Sequence, residues 1–403
     1  MNIYISGISG TGMGPLALMA KAAGHNVCGS DLNKGAILPE LKRANIEVKI
    51  GPQDGGFLKE KIKDGVDWFV HTSALPEDHV ELKIAREAGI KITKRDELTA
   101  FIVKELGLKM VAVAGTHGKT TTTAMIVFAA LKLGLPVAYI VGTTLGFAPS
   151  GAYHVDDKFF VYEADEYDRN FLKFSPWLSV ITSVSYDHPD IYKTREEYAK
   201  AFCQFKLQSE NVIEKSDISE FTLAGEARRK DAALAAAAIH EMAPEKDIDI
   251  IVDILNDFPG VGRRFERLAD GIYTDYAHHP EEIAATMSVA QDEAEKQGKN
   301  GIVVVYQPHQ NTRQHEVMDG YFDAFVGAEK IFWLPTYLTR ENPDLPVLTP
   351  YDLIEKLSNA DRAEPAEMSD ELYEQMLKYR DAGYLVLLLT AGPADNWLRE
   401  KLV

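Results

Sequence analysis

The stretch that decides the fold reads Met110-Val111-Ala112-Val113-Ala114-Gly115-Thr116-His117-Gly118-Lys119-Thr120-Thr121. Its apolar start predicts a buried strand, and the helix-compatible run Thr122 to Leu131 follows a glycine turn. A strand that enters a Gly-Lys-Thr turn and leaves as a helix surrounds phosphates with backbone N–H groups and the positive end of a helix dipole. The strict pattern has glycine five places before Gly118, where this chain has Val113, so we predict a variant phosphate-binding loop. The alternative, a glycine turn with an incidental lysine, is disfavoured by the strand-then-helix context. The predicted nucleotide-binding residues are Gly115, Thr116, His117, Gly118, Lys119, Thr120 and Thr121.

A magnesium ion beside these phosphates would need hard oxygen ligands, and open α/β sheets bind ligands at the carboxyl ends of their strands. The loop itself offers the Thr120 hydroxyl. A predicted strand at Phe159–Tyr162 runs into an acidic cluster that begins at Glu163, and another at Leu178–Val184 runs towards Asp187-His188. Each group alone is equally compatible with a solvated loop or a structural histidine. Together with Lys119 they predict a metal–nucleotide site.

Strand-like and helical segments alternate along the whole chain, which predicts an α/β fold with mainly parallel sheets. We expect three modules: residues 1–107, residues 108–258 and residues 259–403. The Pro- and Gly-containing stretch Phe258 to Gly262 suits a linker. The predicted strands begin at Ile3, Asn26, Trp68, Met110, Tyr139, Phe159, Ser179, Ile272, Ile302, Ile331 and Leu385.

The N-terminal module opens with a second glycine-rich turn, Gly7 to Gly14, between a predicted strand and a helix. In dinucleotide-binding folds such glycines let a diphosphate approach the backbone, and an acid at the end of the second strand binds a ribose hydroxyl. The spacing predicts a diphosphate ligand, NAD or a nucleotide-sugar; a merely tight turn stays possible. The candidate residues are Gly7, Ser9, Gly10, Thr11, Gly12, Met13 and Asp31.

The third module carries three polar segments, two of which directly follow predicted strands. They begin at Arg263, Asp275 and Gln307, and they include neighbouring His and Arg side chains that could hold carboxylates or phosphates. A zinc site at His278-His279 is disfavoured, because adjacent residues tend to point apart and no third ligand stands at zinc-motif spacing.

Composition narrows the class of protein. The 403 residues include 43 Lys plus Arg and 61 Asp plus Glu, a formal net charge of −18. This balance argues against a surface that coats nucleic acid. No apolar run reaches membrane-spanning length, and two cysteines form neither a disulfide framework nor a metal motif. We therefore expect a cytoplasmic enzyme, and residues alone leave kinase, ATPase and ligase open.

The order of these motifs resembles the Mur ligase family along nearly the whole chain. Six blocks carry the resemblance: Gly7–Gly14 with Gly29–Asp31, Gly115–Thr122, Glu163–Arg169, Arg263–Glu266, Asp275–Pro280 and Gln307–His309. The resemblance implies a UDP-sugar-binding N-terminal domain, a central ATPase domain and a C-terminal domain that receives an amino acid. It also implies ATP and Mg2+, and an acyl phosphate intermediate.

The resemblance further implies roles for single residues. Lys119 would neutralise the transferring phosphoryl group, and Thr120, Glu163 and His188 would serve the metal. Arg264 would face the γ-phosphate and Asp275 the nucleotide. The remaining C-terminal residues would bind the acceptor or the reacting carboxylate, with His278 as a candidate base: Tyr276, His278, His309 and Arg313.

Two branches of the family remain open for the acceptor. Asp168 to Leu172 and Gln307-Pro308-His309 look more like the branch that joins L-alanine to UDP-N-acetylmuramate, whereas Ala277 resembles the branch that attaches a recycled peptide. A third hypothesis is a non-catalytic nucleotide-binding descendant. It rests on Gly225 to Ala232, which lacks the family's His and first Asn, and on the short stretch 189–224. An NAD-dependent dehydrogenase would leave Lys119 and Glu163 without a role. A monomer or homodimer, with neither nucleic acid nor membrane as partner, is expected.

Overall fold

The computed structural model describes residues 1–72, 75–188, 191–339 and 341–402. The chain forms two compact units. The first contains residues 1–221 and 230–259, and the second contains residues 222–229 and 260–403.

The first sheet of the first unit has five parallel strands in the order β3-β2-β1-β4-β5. Each strand is followed by a helix, so every connection is a crossover of the kind that parallel pairing requires. The elements are β1 (Asn2–Ser6), α1 (Met13–Ala22), β2 (Asn26–Asp31), α2 (Leu38–Arg43), β3 (Glu47–Ile50), α3 (Gly56–Lys63), β4 (Trp68–His71), α4 (Val80–Glu87), β5 (Lys91–Lys94) and α5 (Arg95–Glu105).

The second sheet of this unit has six strands in the order β11-β10-β6-β9-β7-β8, and only β8 is antiparallel to its neighbour. The strand that enters the phosphate-binding loop is therefore central, with β9 and β10 on its two sides. The elements are β6 (Lys109–Ala114), α6 (Lys119–Lys132), β7 (Val137–Ile140), β8 (Gly151–Ala152), β9 (Phe159–Glu163), a 3-10 helix (Tyr167–Lys173), β10 (Leu178–Ile181), α7 (Arg195–Leu207), β11 (Asn211–Ile213), α8 (Glu226–Met242) and α9 (Ile248–Asn256).

One hydrophobic cluster runs through both sheets of the first unit. It includes Ile3 and Leu16 from the N-terminal sheet and its helix, and Phe160 and Phe171 from the second sheet and the segment after it. A hydrogen bond from Tyr162 Oη to Asp96 Oδ1 (2.9 Å) joins the two layers in a buried position. The glycine-rich turn at Gly7 and the loop at Gly115 thus belong to one packed body.

The second unit holds a six-stranded sheet in the order β12-β13-β17-β14-β15-β16, parallel except for β12. Its central strands are buried on both faces, which explains their nearly continuous apolar sequence. The elements are β12 (Glu266–Ala269), β13 (Ile272–Asp275), α10 (Pro280–Lys296), β14 (Ile302–Gln307), α11 (Asn311–Val317), a 3-10 helix (Met318–Tyr321), β15 (Ala328–Trp333), α12 (Pro350–Ile354), a 3-10 helix (Ala360–Arg362), β16 (Ala363–Pro365), α13 (Asp370–Asp381), β17 (Leu385–Thr390) and α14 (Ala394–Lys401).

The structure confirms the α/β class and the three mainly parallel sheets, and every strand named from the sequence is present. The module boundaries near residues 107 and 259 stay predictions. Among the described helices, none combines the length and the apolar character needed to cross a bilayer.

Candidate active site

The phosphate-binding loop connects β6 to α6 through two glycines with left-handed backbone. Gly115 has φ 148° and Gly118 has φ 82°, values that residues other than glycine rarely adopt. A Cβ on Gly115 would also clash with the side chain of Thr182, and one on Gly118 would lie 2.5 Å from Asp231 Oδ1. The glycines of the motif are therefore required by the turn and by the close approach of its neighbours.

Lys119 is the first residue of α6, and its ammonium lies within the loop. Its Nζ donates to the carbonyl oxygens of Gly115 (2.6 Å) and Thr116 (3.1 Å), and it lies 2.8 Å from Glu166 Oε2. The Lys119 side chain is 14% exposed and that of Glu166 only 1%. Three oxygens thus fix one cation at the start of a helix, where phosphates bind.

Thr120 and Glu163 meet on the other side of the helix start, as the sequence predicts. Thr120 Oγ1 lies 3.0 Å and 2.9 Å from the two carboxylate oxygens of Glu163 and donates to them. Glu163 is the last residue of β9, which pairs directly with β6. The pairing of these two strands therefore brings a hydroxyl and a carboxylate together at one edge of the sheet.

Glu166 is a functional candidate that the sequence did not single out. It contacts Lys119, and its Oε1 lies 3.6 Å from His188 Nε2. Burial alone would raise the pKa of Glu166, but the Lys119 ammonium and His188 hold that pKa below its usual value. The acidic run that begins at Glu163 was the only sequence signal for this residue. The sequence does not tell which carboxylate of that run faces Lys119.

His188 lies beside Glu166, and among the described residues no hydrogen bond joins it to the Thr120–Glu163 pair. Burial opposes its charge, but Glu166 and Asp187 raise the pKa of His188 above its usual value. Its backbone has φ 57°, a sparsely populated region for a side chain of this size. The role of His188 as a metal ligand stays a prediction.

Thr116 and His117 of the loop are held by residues that follow β10 in the chain. Thr116 Oγ1 donates to the Ser185 carbonyl (2.7 Å) and lies 2.8 Å from Tyr198 Oη. The backbone N–H of His117 donates to Ser183 Oγ (2.9 Å). The predicted loop residues are thus held on both sides before any ligand is considered.

The N-terminal glycine turn is held in place by backbone hydrogen bonds, and its role as a diphosphate site stays a prediction. Gly7 has φ 83°, and its N–H donates to the Ser30 carbonyl (2.8 Å). Asp31, at the end of β2, accepts from the backbone N–H of Ser9 (2.9 Å). Turns at Gly10 and Gly12 then lead into α1 at Met13, and Thr11 lies between them. All seven candidate residues occupy the carboxyl edge of the first sheet.

In the second unit, the turn that carries Arg264 has two strained neighbours. Arg263 has φ 58° and Phe265 has φ 50°. Asp275, which is 6% exposed, accepts from the N–H groups of Phe265 (2.7 Å) and Ala277 (2.7 Å). Burial raises the pKa of Asp275, although Arg264 and these N–H groups oppose the shift. Asp275 therefore holds the turn, and its predicted contact with a nucleotide stays a prediction.

The remaining C-terminal candidates share one edge of the third sheet. The Arg264 guanidinium lies 5.2 Å from the ring centre of Tyr276, whose ring is 5.4 Å from that of His278. The rings of His278 and His309 are 5.7 Å apart. Arg313 lies half-buried in the first turn of α11. The structure thus gathers Arg264, Tyr276, His278 and His309 into one row.

Two family models match the chain. Residues 2–105 match the "Mur ligase family, catalytic domain" model, and residues 113–242 match the "Mur ligase middle domain" model.

A curated relative, the UDP-N-acetylmuramate–L-alanine ligase of Carboxydothermus hydrogenoformans, is 30% identical over 97% of this chain and 94% of its own length. The fold is similar to that of the UDP-N-acetylmuramate-alanine ligase MurC of Thermotoga maritima, with a TM-score of 0.77, 22% identity and coverage of 99% of this chain and 98% of that one. It is also similar to that of a murein peptide ligase of Psychrobacter arcticus, with a TM-score of 0.67, 20% identity and coverage of 100% and 98%. From the matched models and the extent of this identity, the chain belongs to the Mur ligase family.

Proposed function

We propose that this chain is an ATP-dependent ligase that joins L-alanine to the carboxylate of UDP-N-acetylmuramate during synthesis of peptidoglycan precursors in the cytoplasm. The observation that carries the proposal is the partly buried cation Lys119 at the start of α6, beside the Thr120–Glu163 pair. The 30% identity with a UDP-N-acetylmuramate–L-alanine ligase over 97% of this chain supports the same reaction.

The chemical problem is that a carboxylate is a poor electrophile. In the proposed first step, a carboxylate oxygen of the sugar substrate attacks the γ-phosphorus of ATP, and ADP leaves. In the second, the amine of alanine attacks the acyl carbon, loses a proton, and phosphate leaves. Phosphoryl transfer depends mainly on positioning and on neutralising charge, so the protein needs fixed cations more than reactive groups.

Lys119 supplies such a cation. Glu166 and two carbonyl oxygens accept its three hydrogens and so fix the charge at the head of the loop; a phosphate oxygen that binds Nζ directly would replace one of these acceptors. The N–H groups at the start of α6 point in the same direction as the helix dipole, and they add partial positive charge.

Thr120 and Glu163 fit a magnesium ion, because both offer hard oxygens at one point beside the loop. We assign them, with His188, as the residues that would hold it. When bound, the ion would neutralise charge on the phosphate oxygens.

In this proposal, the acceptor binds at the row of the second unit that contains Arg264, Tyr276, His278 and His309. Arg264 would contact the γ-phosphate, and His309, Arg313 and Tyr276 would bind the acceptor or the reacting carboxylate. His278 is the candidate base, since its Nδ1 lies 3.0 Å from the Tyr276 carbonyl and 3.3 Å from Glu282 Oε2. These two oxygens would stabilise the ring after it takes a proton from the amine.

The test is a phosphate-release assay with purified protein, Mg-ATP, UDP-N-acetylmuramate and L-alanine. Release should require all three substrates, and the product should gain the mass of one alanine residue. Phosphate release that ignores both acceptor substrates would refute the proposal. Chromatography with light scattering would decide between monomer and homodimer.

Ligation of a whole peptide is the second candidate, favoured by Ala277 and by the fold likeness to a murein peptide ligase. Parallel assays with alanine, glycine, serine and a tripeptide separate the two. A tripeptide that outcompetes alanine would replace the first proposal with this one.

A non-catalytic nucleotide-binding protein is the third candidate. The segment that lacks the family's His and first Asn places Asp231 against Gly118, so a carboxylate lies beside the phosphate-binding loop. Calorimetry that finds tight binding of ATP and UDP-N-acetylmuramate without turnover would favour this candidate.

A further inference from the structure

A buried carboxylate lies beneath the carboxyl ends of β1 and β2, on the face of the sheet covered by α3 and α4. Glu81 in α4 is 1% exposed. It accepts hydrogen bonds from Tyr4 Oη (2.7 Å), Ser6 Oγ (2.6 Å) and Ser30 Oγ (2.8 Å). Burial and the neighbouring Glu81 raise the pKa of Tyr4, so the phenol remains a donor. These neutral groups donate hydrogen bonds to the carboxylate. Because each serine hydroxyl donates its one hydrogen to Glu81, its oxygen can only accept from other groups.

This arrangement fixes one more side chain, Gln53. Its Nε2 lies 2.9 Å from Ser30 Oγ, 3.1 Å from Ser6 Oγ and 3.2 Å from Glu81 Oε2. All three atoms accept here, so only the NH2 end of the amide can face them. The carbonyl Oε1 must therefore point away from the cluster, an orientation that is usually hard to assign for an amide.

Gln53 lies near the part of the first sheet where the nucleoside of a bound UDP-sugar is predicted. Gln53 lies three residues after Ile50, which pairs in register with Asp31 at the edge of the sheet. In this fold a diphosphate lies over the first glycine turn and the ribose beside the acid that ends β2. Within the described residues, Gln53 Oε1 accepts no hydrogen bond. An oriented acceptor thus lies beside the place where a nucleoside would sit.

We propose that Gln53 Oε1 accepts a hydrogen bond from the nucleoside half of the UDP-sugar, and that Glu81 is the positioning residue that fixes the amide. The inference rests on the proposed function, because it takes a UDP-sugar as the ligand. Uridine offers two kinds of donor, the N3–H of the base and the ribose hydroxyls. Either gives the same contact with Oε1.

Calorimetric titration of the full-length protein with UDP and with UDP-N-acetylmuramate tests the proposal. Gln53→Ala should weaken both affinities about tenfold, the effect of one net hydrogen bond. Glu81→Gln should weaken them less, because a second amide at position 81 lets Gln53 turn over. If Glu81→Gln fails to fold, the Gln53→Ala result still decides.

Three analogues identify the donor. N3-methyl-UDP removes the base N–H, and 2′-deoxy-UDP and 3′-deoxy-UDP each remove one ribose hydroxyl. With the analogue that lacks the partner, the wild-type protein should lose about tenfold in affinity, and Gln53→Ala should lose nothing further. Equal losses in wild type and variant for all three analogues would overturn the proposal.

The matched control is Asp54→Ala in the same loop. Asp54 accepts from the N–H of Gly56 (2.9 Å), and in the part of the chain that the structure describes no hydrogen bond joins it to the Glu81 cluster. Its variant should bind UDP like the wild type, which would show that loop disorder is not the cause. A Gln53→Ala protein that binds UDP as tightly as the wild type overturns the inference and leaves the proposed function intact. A wild-type protein that binds neither UDP nor UDP-N-acetylmuramate overturns the proposed function itself.

Discussion

Lys119 and Glu166 form a partly buried ion pair at the phosphate-binding loop, with Nζ 2.8 Å from Oε2. Burial would lower the pKa of Lys119, but Glu166, Asp165 and Glu163 raise it above its usual value. The lysine therefore stays charged in an environment that would otherwise neutralise it. These carboxylates, Glu166 first among them, thus maintain the cation on which the proposed chemistry depends.

Lys119→Ala should abolish ligase turnover while UDP-sugar binding stays nearly intact. The loss should be about 100- to 1000-fold in kcat, the scale for removing one fixed electrostatic contact. The UDP-sugar site is predicted at the Gly7 turn, on a different sheet. Phosphate release and calorimetry with UDP-N-acetylmuramate measure the two effects, and an equal loss of both would contradict the assignment of two separate sites.

Removing either partner of this pair should also destabilise the protein, because it leaves the other charge buried and unpaired. Glu166→Ala should cost about 3–5 kcal/mol in the free energy of unfolding. The double variant Lys119→Met/Glu166→Gln should recover much of that loss. Urea denaturation checks both. Equal unfolding free energies of the single and double variants would show that the Glu166→Ala loss does not arise from an unpaired charge.

Gly115→Ala should destabilise the loop by more than its backbone angle alone explains. Gly115 has φ 148°, and a Cβ there would clash with Thr182. Gly107→Ala is the matched control, since Gly107 also has a positive φ, 66°, but a Cβ there meets nothing within 4 Å. The control should cost about 1 kcal/mol, and Gly115→Ala should cost more and reduce ATP binding. Similar melting temperatures for both variants would argue against the close approach.

Arg399→Ala should loosen the turn that carries Arg264. Arg399 Nη1 donates to Glu266 Oε1 (3.1 Å) and its Nε to Asp395 Oδ2 (2.9 Å), and Glu266 accepts from the N–H of Arg263 (2.7 Å). We expect a stability loss of about 1–2 kcal/mol, since solvent screens the partly exposed guanidinium.

The same variant should lower kcat about 10- to 100-fold, because a misplaced Arg264 would lose the contact with the γ-phosphate that we propose for it. The KM for UDP-N-acetylmuramate should not change. Arg380→Ala, which removes only an exposed pair with Asp381 (2.6 Å), is the control and should leave kcat unaltered. A change in KM without a change in kcat would rule out the positioning role.

Glu341→Gln should reduce stability at neutral pH but not in acid. Burial alone would raise the pKa of Glu341, but the N–H groups of Thr312 and Thr339 hold that pKa below its usual value. Because the folded pKa is lowered, the stabilisation is present above the unfolded pKa, about 4.3, and is lost as the pH falls through the folded value.

The difference in unfolding free energy between wild type and Glu341→Gln should therefore shrink on acidification from about pH 6 to about pH 3. Glu367→Gln at an exposed position should show no such trend. A difference that grew as the pH fell would contradict the sign of the shift.

The strands named from the sequence are mostly the central strands of their sheets. Their apolar runs are long and rich in β-branched residues, as in Ile302–Gln307, which is buried throughout. The strands that the sequence did not reveal are mostly short and lie at or near sheet edges. Lys91–Lys94 and Asn211–Ile213 are examples, in which exposed or half-exposed residues blur the apolar signal.

The amino-acid sequence by itself determined the alternation of strands and helices, the two glycine turns and the identity of Lys119, Thr120 and Glu163 as a group. The strands, helices and turns depend on local residue spacing. The grouping of Lys119, Thr120 and Glu163 depends on the residue types that a metal–nucleotide site requires. Only the tertiary structure decided that Glu166 turns inward to Lys119 and that Glu81 orients Gln53. Those pairs are separated by 47 and 28 positions along the chain. Their meeting depends on strand pairing and burial, which no local pattern encodes.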